Sequence, residues 1–273
     1  MIIVGTKGDD RYEYLEPPLL IVDGGGNDTY TFGGYPSGYP VSIIVDLAGD
    51  DTYKSSDSAK SGIGGAILGV SILIDKAGND TYEGAHACQG SGIFGAGILL
   101  DYSGNDLYTS KTWSQACGTF GLGILSDSAG TDSFYCMTNS QGFGYTRGTG
   151  LLVNFEGDDK YVAEDNYVFA PSQQTKDHNG SLSQGTGFGK RADFVDGHSW
   201  AGGVGILQAL IPLLDPAELF GDLLLPLHVD KPADHDPLGL WGARPVHGLG
   251  EVAHRCGAQG DVLDEPQDPH AVL

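Results

Sequence analysis

Basic residues are scarce in this chain: 14 Lys and Arg stand against 36 Asp and Glu, a formal net charge of −22. Binding to DNA or RNA rests on neutralising phosphates with Lys and Arg, so nucleic acid is excluded as a partner. Divalent cations suit such a charge better. Cysteine is sparse too. Cys88, Cys117, Cys136 and Cys256 form no CxxC pair and no metal-ligand spacing, and four are too few for a disulfide scaffold. Only 18 % of residues are charged, which argues against long salt-bridged helices, and residues 1–190 carry no convincing helical period. The first residues do not read as a signal peptide, because they lack a basic n-region and an apolar h-region. It also has no membrane span: the most apolar stretch, past residue 208, is broken by Asp215, Glu218, Asp222 and three prolines. P-loop, HExxH, dinucleotide and nucleophile-elbow motifs are missing.

Glycine, by contrast, is abundant, at 44 of 273 residues, while 40 % of the chain is still apolar. Such a composition suits an all-β protein with many tight turns. Internal repetition is strong. Gly8-Asp9-Asp10-Arg11-Tyr12, Gly26-Asn27-Asp28-Thr29-Tyr30, Gly49-Asp50-Asp51-Thr52-Tyr53, Gly78-Asn79-Asp80-Thr81-Tyr82 and Gly104-Asn105-Asp106-Leu107-Tyr108 share one pattern. Degenerate copies follow at Gly130-Thr131-Asp132-Ser133-Phe134 and Gly157-Asp158-Asp159-Lys160-Tyr161. The second acidic residue recurs at intervals of 18, 23, 29, 26, 26 and 27. Each loop follows a short apolar strand ending in Asp, such as Ile72-Leu73-Ile74-Asp75 or Ile98-Leu99-Leu100-Asp101. Gln89, Gln115 and Gln141, spaced by 26, open Gly-alternating runs in phase with the loops.

Short strands with turn residues at fixed offsets predict a solenoid in which each unit is one coil. The expected fold is all-β: a right-handed parallel β-helix (handedness from the general crossover preference) of about 26 residues per coil, with a non-repeat C-terminal tail. An antiparallel sandwich also explains short strands, but not the recurrence of identical residues in one phase. The repeat domain is predicted over residues 1–207, with insertions near 162–183 and 190–200. Residues 208–273 hold no Tyr but 8 of 13 Pro and 5 of 8 His. They read as a short helical cap around Ala217–Leu225 and then irregular chain, or as a continuation replaced by a frameshift. The first residues already read as repeat, so the chain is expected to begin within a larger array.

Stacking poses an electrostatic problem. Two carboxylates about 5 Å apart repel by about 0.8 kcal/mol in water and about 3 kcal/mol at an effective dielectric of 20. Either turn N–H groups satisfy each carboxylate, or a hard cation sits between coils. The oxygen set on which a cation would draw is Asp23, Asn27, Asp28, Asp46, Asp50, Asp51, Asp75, Asn79, Asp80, Asp101, Asn105, Asp106, Asp127 and Asp132. The alternative is metal-free: Asp46, Asp75, Asp101 and Asp127 would cap backbone N–H groups in Asx-turns. The Tyr ladder, which admits Phe134, reads as stacked core aromatics.

Asp23-Gly24-Gly25-Gly26-Asn27-Asp28-Thr29-Tyr30 resembles the RTX calcium-binding nonapeptide, Gly-Gly-x-Gly-x-Asp-x-apolar-x. That resemblance implies Ca²⁺ held between turns by loop carbonyls and Asp side chains. Here the loop comes once per 26 residues rather than every nine, and its second Gly is mostly replaced, as at Leu47-Ala48 and Lys76-Ala77. The whole unit looks more like uncharacterised bacterial β-solenoids with repeated Gly-Asn-Asp-x-Tyr loops, a likeness that implies architecture and no activity.

These readings point to a structural or binding module outside the cytoplasm, stabilised by calcium, with carbohydrate or another protein surface as further partners. The alternative is a carbohydrate-active enzyme, a polysaccharide lyase or hydrolase on a β-helix. Its acid/base groups would be Arg191, Asp193, Asp196 and His198 in the second insertion, residues that also suit an ordinary solvated loop.

Overall fold

Alternation along the strands decides which side chains enter the solenoid. In Val41–Asp46, Ser42, Ile44 and Asp46 are buried while Val41, Ile43 and Val45 stay half-exposed, the period of two that a strand requires. The computed structural model describes residues 1–14, 18–33, 41–55, 61–165, 167–171, 174, 176–189 and 202–209. All described strands lie in three sheets, every sheet pairing is parallel, and no helix occurs among the described residues. The expected β-solenoid is thus observed.

The first sheet stacks eight strands: Ile2–Val4, Leu20–Val22, Val41–Asp46, Val70–Asp75, Ala96–Asp101, Leu122–Asp127, Thr149–Asn154 and Val204–Ala209. The second holds seven, from Arg11–Tyr14 to Lys160–Ala163, and includes Thr81–Glu83 and Leu107–Thr109. The third has five two-residue strands, from Ala66–Ile67 to Gly187–Phe188. Register puts like on like. Asp101 lies opposite Asp75 and Asp127, and Tyr108 lies opposite Tyr82 and Phe134.

Two columns fill the interior. Ile21, Ile44, Leu73, Leu99, Leu125 and Leu152 are buried from the first sheet, each worth about 1.5–3 kcal/mol. Tyr12, Tyr30, Tyr53, Tyr82, Tyr108, Phe134 and Tyr161 stack with centroids 4.5–4.9 Å apart, offset by the coil spacing. Where the first sheet passes the third, backbone meets backbone. A Cβ added to Gly97 would sit 2.0 Å from the Ser91 carbonyl, so the Gly-alternating run is a packing requirement, as expected.

The strand Val204–Ala209 pairs with Thr149–Asn154 through Gln208 and Ala209, so coil pairing runs two residues beyond Leu207. Residues 210–273, including the expected helical cap, lie outside the described residues. Within the first insertion Asn179 is the organiser. Its side-chain oxygen accepts the Phe169 and Ala170 N–H groups, and its amide donates to the Glu164 and Tyr167 carbonyls.

Candidate metal centre

The corner after the first sheet carries two acidic positions per coil. The first ends the strand. Asp46, Asp75 and Asp101 each accept the N–H two residues on, at 3.1, 3.1 and 3.2 Å, which is the Asx-turn read from the sequence, and Asp23 does the same at 2.8 Å; Asp127 does not, its Oδ1 being buried without a hydrogen-bond partner. The other carboxylate oxygen accepts a Tyr hydroxyl from the preceding coil. Tyr30 donates to Asp46, Tyr53 to Asp75 and Tyr82 to Asp101 at 2.6 Å, and Tyr108 to Asp127 at 2.7 Å; Tyr12 donates to Asp23.

The second position is the loop Asp. Its Oδ1 accepts the backbone N–H of the loop Asp one coil earlier: Asp28 N–H reaches Asp51, Asp51 N–H reaches Asp80 and Asp80 N–H reaches Asp106, each at 2.6 Å. Its Oδ2 is left over. Buried Oδ2 atoms of Asp28, Asp51, Asp80 and Asp106 have no hydrogen-bond partner, although these residues are only 1–2 % exposed.

The two positions converge in five clusters: Asp10/Asp23/Asp28, Asp28/Asp46/Asp51, Asp51/Asp75/Asp80, Asp80/Asp101/Asp106 and Asp106/Asp127/Asp132. In each, one oxygen per residue lies within 4.8 Å of the others. Burial and mutual repulsion disfavour the ionised forms. Desolvation is the largest cause for the buried acids, pushing Asp28 and Asp132 up to about 6, Asp75 to about 7, Asp51 and Asp106 to about 8, and Asp80 and Asp127 to about 10, whereas hydrogen bonds from the Thr6 N–H and hydroxyl hold Asp10 below the usual carboxylate range.

The array stops in an informative way. Where Tyr becomes Phe134, the strand-end Asp of the next coil becomes Asn154, whose amide donates to Asp132 Oδ2 at 3.2 Å. Loss of the hydroxyl and loss of its carboxylate acceptor coincide. An amide N–H then supplies the positive end that the earlier coils lack.

Of the residues picked from the sequence, Asp23, Asp28, Asp46, Asp51, Asp75, Asp80, Asp101, Asp106, Asp127 and Asp132 meet in these clusters. Asn27, Asp50, Asn79 and Asn105 sit on the solvent side instead. Their side-chain oxygens accept the N–H of Asp50, Asn79, Asn105 and Thr131 in the next coil, at 2.8–3.1 Å. Asp10 joins the first cluster and was not picked, although its place in the loop register marked it. The Tyr hydroxyls were read as packing alone; the Phe134–Asn154 pairing was the available signal.

Across the interior lies a neutral counterpart. Gln89, Gln115 and Gln141 sit in left-handed turns (φ 51°, 48° and 56°) and are fully buried. Gln115 Nε2 bridges two coils, donating to the Tyr108 carbonyl at 3.2 Å and the Tyr135 carbonyl at 2.9 Å. Gln89 and Gln141 do the same one coil to either side. Cys88, Cys117 and Cys136 are free and buried. Arg191, Asp193, Asp196 and His198 lie outside the described residues.

These features define the class: a parallel β-solenoid with stacked, buried carboxylates able to hold metal ions. No family model matches the chain, and no curated protein or solved structure matches it.

Proposed function

We propose that the chain is a structural or binding β-solenoid module working outside the cytoplasm, with its acidic corner neutralised by divalent cations, calcium foremost. The observation that carries this reading is the set of buried, unpartnered Oδ2 atoms, each within a cluster of three carboxylates. Hydrogen bonding satisfies the other oxygens of Asp46, Asp75 and Asp101 and leaves these without a donor.

Charge accounting supports a cation. Each coil adds one strand-end Asp and one loop Asp, and each of Asp28, Asp51, Asp80 and Asp106 serves two neighbouring clusters. One divalent ion per coil therefore balances two carboxylates. The donors are all oxygen, and oxygens on opposite sides of a calcium ion stand about 4.8 Å apart, whereas magnesium retains waters that a buried corner has little room for. Likeness of the loops to RTX repeats favours the same ion. In Asn154 the ladder ends with an amide doing what a cation would do for the coils before it.

The test is metal analysis and thermal denaturation of the full chain, with calcium and after exhaustive EGTA treatment. The expected result is about one calcium per cluster and a large fall in Tm on chelation, since each site held at 100 times its Kd adds about 2.7 kcal/mol. An unchanged Tm with no retained metal would show that protons alone neutralise the corner.

A further inference from the structure

The outward side of the first sheet is a second unusual surface. Outward positions along its eight strands carry no charged residue. Along the solenoid runs the column Ile43, Ile72, Ile98, Ile124, Leu151 and Ile206, each paired in register with the next. Flanking side chains stay open to solvent: Val70 is 38 % exposed and Val204 55 %. At the adjoining corner the apolar surface continues through Leu68, 70 % exposed, and the Phe94–Phe120 stack, with centroids 4.7 Å apart.

The second sheet, built from the same coils, behaves differently. Its outward residues include Arg11, Glu13, Lys54, Glu83 and Lys160, with Lys54 and Glu83 paired at 3.8 Å. That is an ordinary solvent face. The aliphatic face is therefore not a by-product of the repeat.

We infer that this face is a self-association surface, on which a second copy of the chain packs its own first sheet face to face. Three arguments select that occupant. The first is shape: a flat grid of aliphatic ridges is complementary to itself under a two-fold axis, and two such sheets pack about 10 Å apart. The second is area. Six strands with three outward residues and two with two, about 4.8 Å apart, cover about 700 Å², so a pair buries about 1,400 Å², within the range of stable interfaces. The third is charge. The chain carries −22 overall, yet the outward positions of this sheet carry no charge at all. Two copies meeting here bring together two uncharged faces, so association on this side brings no like charges of the acidic surplus into contact.

Sedimentation velocity on the full chain across a concentration series tests this, comparing wild type with the double variant Ile98→Glu and Ile124→Glu. Both positions are half-exposed, so circular dichroism is expected to stay unchanged. Wild type should be dimeric at micromolar concentration, and the variant should dissociate at least about 100-fold more readily, because it buries unpaired carboxylates. Phe94→Asn, at the exposed corner, serves as a milder variant if the double substitution misfolds, and should weaken the dimer about tenfold. A dimer indifferent to both changes would overturn the inference. So would a monomeric wild type: if the variants then lose thermal stability, residues 210–273 cover the face in place of a second copy, and if they do not, the face is bare.

Discussion

Two polar lines run along this solenoid's interior, the acidic one from Asp10 to Asp132 and the amide one through Gln89, Gln115 and Gln141, and they solve the same problem with opposite chemistry. Each satisfies backbone groups where a coil turns, and each repeats one residue type every coil. The amide line is neutral: Gln115 donates to carbonyls of two coils and leaves one amide oxygen unpaired, a cost of about 1–3 kcal/mol that does not change with pH. The acidic line repeats a charge. Burial raises each carboxyl and every neighbouring copy adds repulsion, so Asp80 and Asp127 are pushed up to about 10. A repeated neutral group needs only donors and acceptors in register, whereas a repeated ionised group also needs a counter-charge.

Breaking the acidic line should have the largest effect. Asp101→Ala removes the acceptor of the Tyr82 and Tyr108 hydroxyls and of the Ser103 N–H. It should cost about 3–5 kcal/mol in urea denaturation. Asp101→Asn should cost clearly less in the chelated protein, because it relieves repulsion while keeping an acceptor. Equal losses would mean that charge is unimportant there.

The pH response separates the two lines next. These carboxyls have folded pKa values above the unfolded value, so the folded chain holds protons that the unfolded chain releases. Stability in EGTA is then greatest near pH 4 and declines as pH rises through about 6 (Asp28, Asp132), 7 (Asp75) and 8 (Asp51, Asp106). A fall in Tm of about 10 °C between pH 4.5 and 8.5 is expected for a domain of this size. Saturating calcium should flatten the profile, since it competes with protons for the same oxygens.

Gln115→Leu is expected to cost about 2–3 kcal/mol through two lost hydrogen bonds to buried carbonyls. This loss should be the same with calcium or EGTA and at either pH, so a calcium-dependent loss would break the contrast between the lines. Tyr108→Phe should have the smallest effect, about 1 kcal/mol. It copies the natural Phe134 but leaves Asp127 without its hydroxyl donor at 2.7 Å. Adding Asp127→Asn, which recreates the Phe134–Asn154 combination of the last regular coil, should recover most of that loss.

Much of this was legible in the one-dimensional text. Loop spacing foretold parallel stacking, and the Asx-turn reading holds at Asp46, Asp75 and Asp101 but not at Asp127, because both follow from local pattern that the last coils no longer keep. The Gly-alternating run foretold close backbone approach, seen where a Cβ on Gly97 would strike Ser91. Spacing alone did not divide Asn27, Asp50, Asn79 and Asn105 from the buried acids beside them. Adjacent residues in a tight turn point to opposite sides of the wall, and the side is chosen by how the coil closes. The Tyr-to-Asp hydrogen bonds cross from one coil to the next over separations of 11 to 22 residues, a relation no local motif encodes.

The sequence by itself determined the repeat, its phase, the β class and the accumulation of carboxylates along one line, because periodicity survives in the order of residues. Only the tertiary structure decided which of those carboxylates lose their water, which oxygens keep no donor, and which sheet turns an uncharged aliphatic face outward. Burial and closure come from winding the chain into three sheets, and the free energy of a charge depends on what surrounds it in space.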